Sequence, residues 1–115
     1  MLLWPSEPVH AAERAPEQAA SVIPVSWLIK RTSVAEAEAE HPGARDERAK
    51  QHPELARPFG ALNVKWEALK ADMRPGDELW TFSSPPRTWE DLAGRAGIAL
   101  VRDGMAIAIL VTMLN

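Results

Sequence analysis

The chain has 115 residues, a formal charge of −3 at neutral pH and no cysteine. That length supports one hydrophobic core but not two ordinary domains. The charge gives no general attraction to nucleic acid or anionic lipid, and the missing thiols exclude a disulfide framework, a thiolate metal site and a cysteine nucleophile.

Residues 1–21 scatter Pro5, Pro8 and Pro16 among alanine and glutamate, which interrupts every helix signal. They read as a mobile leader with a short helix near 9–20, ahead of a single domain over 22–115. The opening Met1-Leu2-Leu3-Trp4-Pro5 has no basic flank and no long apolar core, so it does not read as a signal peptide. The longest apolar run, Met105 to Val111, falls far short of the roughly 20 residues that cross a bilayer. The expectation is a cytoplasmic protein with no membrane partner.

From Val25 to Arg31, Val25, Trp27 and Ile29 alternate with Ser26, Leu28 and Lys30, the period of an edge strand that starts after Pro24. Ser33-Val34-Ala35-Glu36 has the form of a capping box opening a short helix that ends before Pro42-Gly43. Residues 44–58 are rich in Arg, Asp, Glu, Lys and Gln with scattered alanine and two further prolines, so 33–60 reads as a polar helix-and-loop insertion that buries little, with 63–115 as the core unit. Asn63 is placed to cap a helix over 64–73, whose stripe Leu62, Trp66, Leu69 and Met73 is apolar while Lys65, Glu67, Lys70 and Asp72 face away.

Pro75-Gly76 turns the chain into a strand over 77–83. Ser83-Ser84-Pro85-Pro86 then stops both ladder and helix, and Thr88 caps a short helix from Trp89 to about Ala93. Asp103-Gly104 between two apolar runs is a strong signal for a two-residue hairpin joining strands 98–102 and 105–113. A uniform register would set Arg102 opposite Met105, Leu100 opposite Ile107 and Ile98 opposite Ile109 on one bulky face. Ala99, Val101, Ala106 and Ala108 would then form a shallow face. The expected class is α+β: a small antiparallel sheet of three to four strands, ending in the Asp-Gly hairpin, under one amphipathic helix.

The run Pro75-Gly76-Asp77-Glu78-Leu79-Trp80-Thr81-Phe82-Ser83-Ser84-Pro85-Pro86, continued by Trp89, Leu92-Ala93-Gly94-Arg95 and Gly97 to Gly104, resembles a pattern in small uncharacterised bacterial proteins. The resemblance covers about 50 C-terminal residues. It implies that the C-terminal half is a self-contained unit, and it brings no catalytic residue with it.

The richest surface chemistry gathers at the Ser83-to-Pro86 turn, where Trp80, Ser83, Ser84, Arg87, Trp89 and Arg95 combine aromatic rings, hydroxyls and guanidiniums. Together with the helix start at Thr88, this set suits a peptide segment or an anion. The plainer reading is that the serines cap the turn, the tryptophans fill the core and the arginines pair with Glu90 or Asp103. A serine nucleophile needs a base within reach, but His10, His41 and His52 all lie in the weakly structured half. Nor do His41 and His52 have the spacing of paired metal ligands. Neighbouring acids Asp77-Glu78 point to opposite faces of a strand, and Glu90-Asp91 sits where a helix dipole favours negative charge. Gly94-Arg95-Ala96-Gly97 lacks the spacing and lysine of a phosphate loop.

With no catalytic set and no cofactor expected, the leading expectation is a non-catalytic interaction module that recognises another protein or itself, a homodimer or an immunity-like or regulatory role being versions of it. The second is a small anionic-ligand binder or phosphoryl-handling enzyme using Ser83, Ser84, Arg87 and Arg95. Nucleic-acid binding is disfavoured, because no basic stripe accompanies the negative charge.

Overall fold

The computed structural model describes residues 21–115. The leader expected over 1–21 therefore lies almost wholly outside the described residues, as do Trp4 and His10. Four strands, β1 (Leu28–Thr32), β2 (Glu78–Ser83), β3 (Arg95–Arg102) and β4 (Met105–Leu114), form one antiparallel sheet in chain order. Among the described residues, four short α-helices, α1 (Val34–Glu40), α2 (Glu47–Gln51), α3 (Asn63–Asp72) and α4 (Pro86–Glu90), complete an α+β domain. None of them is long and apolar enough to cross a membrane.

The hairpin turns where expected, Arg102 standing opposite Met105, with Asp103 and Gly104 both at positive φ. Its register then departs from uniform alternation. Val101 faces Ala106 but Leu100 faces Ala108, so Ile107 is an extra residue in β4. A bulge of this kind advances one strand by one residue and turns every later side chain to the other side. Leu110, not Ile109, therefore stands opposite Ile98 and is buried under α3, while Ile109 packs on the opposite face with Val101 and Ala106. The expected pairings of Leu100 with Ile107 and of Ile98 with Ile109 are corrected by that one residue.

Both faces of the sheet are covered. Trp66 and Leu69 of α3 press on Leu79, Ile98, Leu100 and Leu110. The shallow face keeps Ala99, Val101 and Ala106 but loses Ala108, which the bulge turns to the α3 side. It meets the chain's own entry segment, where Ile23, only 1% exposed, packs with Phe82, Ala99, Val101 and Ala106. That segment crosses through a 3₁₀ turn at Val25–Trp27, closed by Trp27 N–H donating to the Pro24 carbonyl at 2.9 Å. The turn delays β1 to Leu28, three residues later than alternation suggests, and β1 is indeed an edge strand.

The 33–60 stretch contributes more to the core than its charge predicts. Ser33 caps α1 by accepting from Glu36 N–H, and Ala37 is fully buried. Phe59 sits at φ 67°, its ring stacked on His41 and 4.4 Å from Trp66. Asn63 does not cap α3 with its side chain: it is the first helical residue, and its Nδ2 donates to the Pro58 carbonyl at 2.9 Å. Lys70, expected to face away, is half-buried between Glu38 and Glu67.

Candidate functional site

The prolines after β2 start α4 instead of preventing it, because Pro86 occupies the first helical turn, where its missing N–H and fixed φ cost nothing. Thr88 is consequently inside the helix and not its cap. Its Oγ1 donates to the Pro85 carbonyl at 2.5 Å and lies 2.6 Å from Ser84 Oγ. Ser84 is buried, 3% exposed, and its hydroxyl accepts from Arg95 N–H at 2.9 Å while its own N–H donates to the Arg95 carbonyl. Trp89 Nε1–H is shared between Ser83 Oγ at 3.2 Å and the Ser84 carbonyl at 3.1 Å. The ring is held from behind by Gly94, where any side chain would collide with it. Asn115 also donates to the Trp89 carbonyl.

This network makes a rigid end to the sheet and an open groove of about 730 Å³ lined by Ser26, Trp27, Ile29, Ser83, Ser84, Pro85, Pro86 and Trp89. Ser83, Ser84 and Trp89 of the predicted set are thus brought together. Arg87 and Arg95 are not. Arg87 points to Asp91, 3.7 Å away on the exposed side of α4, and the Arg95 guanidinium lies over the Trp27 ring at 5.3 Å. The pairing with Glu90 or Asp103 expected on the plainer reading is replaced by these partners. Trp80 is elsewhere: its Nε1 donates to Glu78 at 2.8 Å and it walls a separate cleft with Val25, Leu28 and Val101. Because both serine hydroxyls are spent inside the turn and the two guanidiniums do not converge, the arrangement behind the anion reading does not form. Neither hydroxyl has a carboxylate or imidazole among its partners.

Trp27 and Ile29 stand outside the expected site, because alternation sets both in one strand from Val25 to Arg31. The 3₁₀ turn brings Trp27 to the groove, and Ile29 is 61% exposed beside it. Proline at position 24 was the available signal for that turn.

A second surface runs along the outer edge of β4. Its ten residues, Met105 to Leu114, contain no charge and no proline, two of the devices that keep an edge strand from pairing. A third, the bulge, is present at Ile107 and again at Thr112, and leaves Ala108 to Val111 as the regular stretch between them. Among the described residues, only its first turn is covered: Val22 N–H donates to the Ala106 carbonyl at 2.8 Å, and Ala106 N–H reaches Ser21 Oγ at 3.3 Å. From Ile107 onward the strand pairs with β3 alone. Met113 and Leu114 are 59% and 76% exposed.

Among the described residues no three His, Asp or Glu side chains come close enough to hold a metal ion. No protein-family model, curated protein or solved structure matches the chain.

Proposed function

We propose that this chain is a non-catalytic protein-interaction module that engages its partner by strand addition at β4. The observation that supports it is a ten-residue edge strand without charge, proline or glycine, open beyond Ala106 among the described residues. Every second residue of an open edge points both its N–H and its C=O outward, so an incoming extended segment gains main-chain hydrogen bonds, and side chains on either side of the pleat set its identity. The apolar character of β4 favours a partner strand that is itself aliphatic. The tryptophan-lined groove at the far end of the sheet is rigid and internally satisfied, which suits a structural corner as well as a contact, and it is secondary in this reading.

Hydrogen exchange of the Ile107–Leu114 amides tests the proposal. The full chain is followed alone from nanomolar to about hundred-micromolar concentration, and again with extract of the cells that make it. Slowed exchange across this strand under either condition is expected. Exchange at the rate of an open strand under both would sink it.

A further inference from the structure

Helix α3 packs on β4, so one of its flanks overlooks the open edge. That flank carries Lys65, Ala68 and Asp72, all exposed, at the three-and-four spacing that places residues on one side of a helix. With Leu69, Ala108 and Ile109 they line a groove of about 240 Å³ between helix and edge strand. The other charges on the helix are spoken for, Lys70 bridging Glu38 at 2.8 Å and Glu67 at 3.0 Å. Lys65 and Asp72, by contrast, make no ion pair within 4 Å among the described residues.

We propose that the occupant of the β4 edge is a second copy of this chain, placed by a two-fold axis that passes beside Ile109 and Ala68. This rests on the reading that the β4 edge is the contact surface. The two β4 strands pair antiparallel into one continuous sheet of eight strands, and the two α3 helices lie antiparallel above the joint. Lys65 then meets Asp72 of the partner subunit, twice.

The charge pattern favours a second copy over an unrelated partner. Across a two-fold axis residue i meets residue j and j meets i, so a helix flank is self-complementary only if its charges are opposite and symmetric about the axis. Lys65 and Asp72 are, with Ala68 beside the midpoint. Neighbouring strands stand about 4.8 Å apart, which sets the axis about half that distance outside β4. Trp66 and Leu69 reach back over β3 to Ile98 and Leu100, so each helix sits inside its edge strand. A setback of about 2 Å brings the two helix axes to the roughly 8–10 Å at which helices pack, a spacing that a small residue at the crossing permits. The same axis centres the strand pairing near Ile109, leaving Ala106 and its contacts with Ser21 and Val22 at the margin.

The test uses full-length chain and its charge variants. Sedimentation of wild type at micromolar concentration is expected to give the mass of two 12.7 kDa chains. Lys65→Asp places like charges across the axis, and Asp72→Lys does the same with the opposite sign. Each is expected to raise the dissociation constant at least tenfold with unchanged circular dichroism, and the double variant Lys65→Asp/Asp72→Lys to restore the dimer. Because the chain has no cysteine, Ala68→Cys should oxidise cleanly to a disulfide-linked pair. A single-chain mass at all concentrations, with β4 amides slowed only when extract is added, would overturn the second copy and leave the interaction reading standing. A dimer that ignores both charge reversals would overturn the α3 contact.

Discussion

Trp66 Nε1–H donates to Glu38 Oε2 at 2.8 Å, tying the innermost ring of the core to a carboxylate 28 residues earlier in the chain. Trp66 is fully buried, so its indole N–H needs a protein acceptor. Lys70 Nζ reaches the same oxygen at 2.8 Å and lies 5.6 Å from the centre of the Trp66 ring. Trp66→Phe keeps most of the apolar volume and deletes the donor, and should cost about 1–3 kcal/mol. Glu38→Gln retains an acceptor but loses the charge facing Lys70, and should cost less. Urea denaturation of the three proteins checks the order, which would be reversed if the carboxylate served Lys70 alone.

Asp77 receives Arg102 side-on, Nε to Oδ1 at 2.9 Å and Nη2 to Oδ2 at 2.7 Å, and also accepts from Arg74 N–H. Arg102 holds its carboxyl down to about 2. A carboxyl with a folded value below its unfolded one of about 4 stabilises fully above that pH and loses the contribution as pH falls through the folded value. The Glu38 carboxyl is lowered too, by Lys70 and then by Trp66, and acts in the same direction. Wild type should therefore lose stability steeply between pH 4 and pH 2. Asp77→Asn, less stable at neutral pH, should show a shallower loss over that window in acid titrations followed by circular dichroism.

Ser84→Ala and Ser83→Ala form a second pair. Ser84 Oγ is the acceptor for the Arg95 amide inside a buried turn, so its removal leaves a donor unsatisfied and should cost about 1–3 kcal/mol. Ser83 Oγ donates to the Ser84 carbonyl and shares Trp89 Nε1–H with it, that carbonyl still accepting from the indole after substitution. Its loss should stay within about 0.5 kcal/mol. Equal costs in guanidinium unfolding would show that the turn does not depend on the buried hydroxyl.

Gly97 and Gly94 should respond differently to alanine. A methyl group at Gly97 would stand 1.9 Å from the Leu110 carbonyl oxygen, backbone that cannot step aside without parting β3 from β4. Overpacking there should cost at least about 1–3 kcal/mol. At Gly94 the obstacle is the Trp89 ring, 2.2 Å away. Displacing that ring breaks only the side-chain hydrogen bonds of Trp89 Nε1–H and leaves the β3–β4 ladder intact, so Gly94→Ala should shift tryptophan emission with a smaller loss of stability. A larger loss from Gly94→Ala than from Gly97→Ala would contradict this assignment.

Much of the fold can be read in single segments. Asp103-Gly104 has residues that accept positive φ where a tight hairpin demands it, and it turns as expected. Leu62, Trp66, Leu69 and Met73 repeat at the helical period and do meet the sheet. The site was legible in part: Ser83, Ser84 and Trp89 are adjacent because the chain is short between them, whereas Arg87 and Arg95 answer to Asp91 and Trp27, partners chosen in space. Nothing local marks Phe59 as core, because its chain neighbours are charged or small and its burial comes from Trp66 and His41.

What the amino-acid sequence by itself determined is the set of elements that local chemistry can specify, namely turns, caps and the period of apolar side chains. The extra residue at Ile107 was beyond its reach, because every residue from Met105 to Val111 is apolar and alternation cannot distinguish two registers of a uniformly aliphatic strand. Packing settled the question, since Leu110 fits beneath α3 and Ala106 leaves room for Ile23. The edge of β4 and the placing of Lys65 and Asp72 above it, neither in an ion pair among the described residues, are likewise products of tertiary structure, arising only once α3 is laid across the last strand.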